Sequence, residues 1–100
     1  MARTPVDAYV LDTLMPDLVR HDRRPGAFLV YLHLVHRTGR ARSARASLRE
    51  IAADTGLSKT AVQHAVRTLV RRRLLRVDKA FRTAVPEYTV LRPWIRRSHP

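Results

Sequence analysis

The 100-residue sequence predicts a mainly α-helical fold with a small β-hairpin, and three observations carry that expectation. Apolar residues recur at helical spacing in four stretches, near 6–15, 25–37, 47–55 and 59–72. Pro16, Pro25, Gly39 and Gly56 stand where such helices would start or stop. After Leu74-Leu75 the pattern turns β-prone, with alternation in Leu75-Arg76-Val77 and a second run at Tyr88-Thr89-Val90-Leu91.

Taken in order, Val6, Val10, Leu11, Leu14 and Met15 define a first short helix, with Asp7 and Asp12 on its other side. Pro16 is expected to end or kink it, because proline lacks the donor and crowds the preceding turn. Asp17-Leu18-Val19 adds at most one more turn. Residues 25–37 are the most apolar segment. Pro25 suits the first helical turn, Asp22 or a following residue can cap it, and Gly39 marks its end. Phe28, Leu29, Tyr31, Leu32, Leu34 and Val35 leave it little polar face, so this helix is expected at the centre. Residues 39–46, three arginines among small residues, read as a basic loop.

The stretch from Ser47 to Arg76 is the most informative. Ser47 and Glu50 form a capping box, in which hydroxyl and carboxylate each satisfy a backbone N–H. Leu48, Ile51, Ala52 and Thr55 line one face of the helix that follows. Gly56 falls where a left-handed residue is needed, Leu57 can plug the angle, and Ser58 can cap the next helix. That helix runs from Lys59 to about Arg72, with Val62, Ala65, Val66 and Leu69 as its apolar stripe. Two short helices joined by a tight turn make a helix-turn-helix. The strands near 75 and 88 then form a hairpin, and Pro93-Trp94-Ile95 is expected to fold back onto the core.

Composition narrows the functional classes. Cysteine is absent, which excludes disulfides, thiol catalysis and cysteine-held zinc. No apolar run approaches the ~18 residues of a membrane span, and the N-terminus shows no signal-peptide core. A cytoplasmic protein is expected. With three glycines a phosphate-cradling glycine loop is ruled out, and no Ser-His-Asp set or carboxylate pair stands out, so no enzymatic activity is expected. His33 and His36 lie three apart, but no carboxylate or cysteine sits at a matching spacing, so neither a metal nor a cofactor is expected.

Charge points to a partner. The net charge is +12, with 20 Lys and Arg against eight acids. Residues 47–100 hold most of that excess. A basic surface of this kind favours a polyanion, because each phosphate neutralised releases condensed counterions.

The phrase SLREIAADTGLSKTAVQHAVRTLVRRRLLR resembles the winged helix-turn-helix family of bacterial DNA-binding regulators. The matching positions are Leu48, Ile51, Ala52, Gly56, Leu57, Ser58, Val62, Val66, Leu69, Leu74 and Leu75. The ending EYTVLRPW resembles the second wing strand of MarR-like and GntR-like groups and of replication-accessory proteins. The resemblance implies one winged domain over 1–100, with the helix-turn-helix at 47–72, a wing of two or three strands at 75–91 and a frayed tail at 96–100. Two departures stand out. Arg73 occupies a position where the family usually has glycine, which predicts a strained or altered helix end. The wing has no glycine, so its tip is not expected to be a tight two-residue turn.

The implied function is sequence-specific or semi-specific binding of double-stranded DNA by a transcriptional regulator. The second helix would enter the major groove. Ser58, Lys59, Thr60, Gln63, His64 and Arg67 would face it. Lys59 or Arg67 would read guanine, Gln63 adenine, while Ser58 and Thr60 touch phosphate. Arg71, Arg72, Arg76, Lys79 and Arg82 would clamp the backbone or probe the adjoining minor groove. The alternatives are a plasmid or phage replication accessory, a winged helix that binds protein instead of DNA, and RNA binding through charge alone. A homodimer is open, with Tyr9, Leu11, Leu14 and Leu18 or the region of Trp94 as the interface. No small-molecule effector site is evident.

Overall fold

Pro25–Thr38 forms the central helix, α1. Pro25 occupies its first turn, where a missing N–H costs nothing. Its cap is the main chain at Arg24, with no side-chain cap bond; the carboxylate of Asp22, expected as a cap, is committed elsewhere. Ala27, Phe28, Val30, Tyr31, Leu34 and Val35 are buried, whereas Leu29 lies on the outside at 44% exposure. The computed structural model describes residues 3–95, so the tail at 96–100 lies outside the described residues.

A helix over residues 8–21 precedes α1. It does not stop at Pro16. The chain opens into wide turns over Val10–Leu14 and Asp17–His21, where each bond spans five residues: Met15 N–H reaches Val10 O and Asp22 N–H reaches Asp17 O at 2.9 Å. Wide turns give the proline ring room that a regular turn denies it. Val10, Leu14 and Leu18 point into the core, one turn apart. Leu11 and Met15, expected on the apolar side, are 46% and 40% exposed.

After α1 the segment expected as a loop contains a short strand, β1, Ser43–Arg45. Then come α2, Leu48–Thr55, and α3, Lys59–Arg71, followed by β2, Leu75–Asp78, and β3, Glu87–Val90. The three strands form one antiparallel sheet in the order β1-β3-β2. The register pairs Ala44 with Tyr88 and Val77 with Tyr88 on the two sides of β3. Leu75, Tyr88 and Val90 are buried on the inner face, while Arg45, Arg76 and Thr89 belong to the outer one. The fold is thus mainly helical with a small antiparallel sheet, a winged helix-turn-helix.

One hydrophobic core joins these elements, and α1 touches the N-terminal helix, α2, α3, β1 and β3. Trp94 does fold back: it stacks on Tyr9 with centroids 4.5 Å apart and lies beside Tyr31.

The end of α3 explains how Arg73 replaces glycine. Arg73 adopts φ 59°, the left-handed conformation. Leu74 N–H bonds to Leu69 O at 2.9 Å and Arg73 N–H to Val70 O at 3.0 Å, the paired bonds of a Schellman end. Glycine would hold the same bonds without the crowding at Cβ. Arg73→Gly is expected to stabilise the fold by about 0.5–1 kcal/mol, the left-handed cost less the added freedom of the unfolded chain. A urea midpoint no higher than wild type would show that the Arg73 side chain has a stabilising contact of its own.

Candidate nucleic-acid interface

The turn between α2 and α3 is built from local signals. Glu50 N–H donates to Ser47 Oγ at 3.0 Å and Ser47 N–H donates to Glu50 Oε1 at 3.1 Å, so the capping box is closed on both sides. Accepting the Ser47 N–H, more than the nearby Arg37, holds the Glu50 carboxyl below its ordinary range. Gly56 takes φ 81°, the left-handed value that ends α2. Thr55 Oγ1 donates to Ile51 O at 2.7 Å and accepts Leu57 N–H at 3.3 Å, which tightens the corner. Ser58 Oγ accepts Ala61 N–H at 3.0 Å and caps α3.

This corner fixes the phase of α3. Val62, Ala65, Thr68 and Leu69 are buried. Lys59, Thr60, Gln63, His64, Arg67 and Arg71 are exposed along the other side. Their spacing of three and four residues puts them on one face. The helix contains no acid, so nothing on that face opposes a phosphate.

Several acids elsewhere are held by other cations. Arg37, on α1, donates to Glu50 Oε2 at 3.1 Å and to Asp54 Oδ2 at 3.4 Å, which pins α2 onto α1. His33 Nε2 lies 3.5 Å from the same Asp54 carboxylate; burial, only partly opposed by Asp54, lowers its pKa. His36 instead meets Thr4, so the two histidines do not converge on one point. Arg76 donates to Asp78 at 3.1 Å.

Arg72 has acidic partners within the fold. Its guanidinium donates to the carboxylates of Asp17 and Asp22 at the end of the N-terminal helix. The Asp22 carboxyl is held below its ordinary range, first by a hydrogen bond from His21 and then by Arg72. Arg72 is therefore a tie between the N-terminal helix and α3, and it also lines a depression with Arg24, Thr68 and Arg71. Asp17, His21 and Asp22 sit close enough together to resemble a metal site, but the two carboxylates are occupied by Arg72.

Arg24 is a further cation beside this face of α3. It lies exposed at the start of α1 and lines a shallow depression together with His64, Arg67, Thr68 and Arg71 of α3. Sequence reasoning missed it because nothing local marks Arg24 as different from Arg23. Only the packing of α1 on α3 brings it to His64.

The remaining predicted residues lie on the hairpin. Arg76 is on the outer face of β2, and Lys79 and Arg82 stand exposed in the loop 79–86. The Lys79 ammonium donates to Arg82 O at 3.4 Å. β2 follows α3 in the chain and packs on it. Of the residues expected at a homodimer interface, Leu14 and Leu18 are buried in the core and Tyr9 is stacked on Trp94; Leu11 stays exposed, in line with Met15 and Val19.

One comparison with known proteins found a match. Residues 39–79 match the model of the IclR helix-turn-helix domain. The match begins at the end of α1 and closes just after β2, so it takes in β1, the whole helix-turn-helix and the first strand of the hairpin. It is a different type of helix-turn-helix from the MarR-like and GntR-like ones that the sequence suggested. Comparison with curated proteins and with solved structures gave no match. Among the described residues no helix is long and apolar enough to cross a membrane.

Proposed function

We propose that this chain binds double-stranded DNA through α3, with sequence-specific or semi-specific recognition, and acts as a bacterial transcriptional regulator. The observation that carries the reading is the exposed, acid-free face of α3. Lys59, Gln63, Arg67 and Arg71 stand together there on a helix whose start is set by Ser58 and whose back is buried. The match of residues 39–79 to an IclR helix-turn-helix supports it.

In this arrangement Gln63 and Arg67 reach base edges, Gln63 to adenine and Arg67 to guanine. Arg71, Arg24 and His64 take the phosphates on the side where α1 abuts α3. Lys59 and Thr60 serve the start of the helix. Arg76, Lys79 and Arg82 follow the backbone from the hairpin.

Roughly five to eight phosphate contacts predict a log–log salt slope of about −4 to −7. Titration of a fluorescent duplex across salt concentrations measures it, and a slope near zero would refute the reading. Selection from a randomised duplex pool tests specificity. Gln63→Ala and Arg67→Ala are expected to change the selected sequence, while Arg71→Ala weakens all sequences alike. One selected sequence shared by every variant would place base recognition elsewhere.

A further inference from the structure

The end of the hairpin carries the most exposed large apolar side chain among the described residues, Phe81, at 65%. Val85, 50% exposed, lies with it, and Ala80 and Ala84 complete a small apolar tip. The tip has a defined shape. Ala84 N–H donates to Phe81 O at 3.0 Å, Lys79 bridges to Arg82 O, and Pro86 stands directly before β3. No glycine lies in it to loosen the backbone.

Both cations and acids flank this tip. Lys79 and Arg82 belong to the loop, and Arg45 lines the same concavity from β1. Asp78 and Glu87 lie at its base, where Asp78 is paired with Arg76 and Glu87 stands opposite Arg45 in the strand register. An apolar point flanked in the loop by Lys79 and Arg82 suits a surface where apolar groups lie between rows of anions. In a duplex groove the base edges lie between two rows of phosphates, and a side chain that parts a base step meets the apolar faces behind them. A second copy of this chain, itself at +12, sets like net charges against each other.

We propose that Phe81 is an apolar wedge that enters the minor groove of bound DNA and partly unstacks one base step, bending the duplex. The inference rests on the DNA-binding reading above. Lys79 and Arg82 would hold the phosphates on either side while the ring inserts. Pyrimidine–purine steps such as TA unstack most easily, so the wedge would create a preference at a position where no side chain reads a base edge.

The test uses an alternating A·T duplex with 2-aminopurine replacing adenine at TA steps and a fluorophore pair on its ends. The full chain is expected to raise 2-aminopurine emission severalfold and to bring the ends closer. Phe81→Ala is expected to bind roughly tenfold more weakly, with neither signal; Phe81→Trp is expected to keep both. Phe81 lies outside the core, so the alanine variant is expected to melt as wild type does, which the same samples check. Emission that stays at the free-duplex level in the wild-type complex overturns the wedge, as does emission in the Phe81→Ala complex equal to wild type. Either result leaves DNA binding standing. Failure of the wild-type chain to bind any duplex in about 50 mM salt overturns both.

Discussion

Replacing Arg67 and Arg71 together by alanine is expected to weaken duplex binding by about 100-fold, at roughly 1–3 kcal/mol for a base-edge contact and a comparable loss for a phosphate contact. Both side chains are exposed on α3 and neither makes an ion pair among the described residues, so the fold should melt as wild type does. Arg72→Ala provides the contrast. Arg72 is one residue away, but its guanidinium is spent on Asp17 and Asp22. Its loss is expected to cost about 1 kcal/mol of stability, as befits a partly exposed ion pair, with little change in affinity for DNA. Anisotropy titration and thermal melting separate the two outcomes. An Arg72→Ala variant that stays fully folded yet binds as weakly as the double variant would place Arg72 in the DNA-facing set.

Tyr31→Ala is expected to destabilise the fold by about 3–5 kcal/mol, in the range for truncating a buried aromatic. Tyr31 is fully buried on α1, and its hydroxyl donates to Leu91 O at 2.9 Å. Burial also pushes its phenol pKa well above the ordinary value. The ring lies beside Trp94, which in turn stacks on Tyr9. One side chain thereby holds the exit of β3 and the start of the N-terminal helix against α1. Tyr31→Phe keeps the ring and loses only the hydrogen bond, so it is expected to cost about 1 kcal/mol. The chain has a single tryptophan, so its emission during urea unfolding reports this contact directly. A Tyr31→Ala midpoint within error of wild type would mean that the three rings do not hold the ends together.

The elements that proved legible in the sequence are those written in local chemistry. Ser47 with Glu50, Gly56 and Ser58 mark helix ends through bonds that span three or four residues, so their spacing alone locates the turn. The burial of Val62, Ala65 and Leu69 follows from helical period, and with it the outward placement of Lys59, Gln63 and Arg67. Arg73 was recognisable as a departure because a left-handed residue was needed there whatever its side chain.

What was not legible depended on partners far away in the chain. Ser43–Arg45 has neither β-branched residues nor alternation, and it becomes a strand only because β3 offers Glu87–Thr89 as a ladder. Pro16 carried the ordinary signal for a helix end. The chain instead widens around it, since burial of both Leu14 and Leu18 rewards a continuous helix. Leu11 and Met15 shared the helical spacing of Val10 and Leu14, and only the packing of that helix on the core separates inside from outside.

The same division holds at the proposed interface. By itself the sequence determined that a capped, acid-free helix would present Lys59, Gln63, Arg67 and Arg71 on one side, because period and capping are local. The tertiary structure alone decided which neighbouring cations join them. Arg71 and Arg72 are adjacent and chemically identical. Both lie near Arg24, but only Arg72 meets carboxylates, 50 and 55 residues earlier. The physical reason is that a helix fixes the direction of each side chain relative to its neighbours, whereas the charge it meets there is set by how separate helices pack.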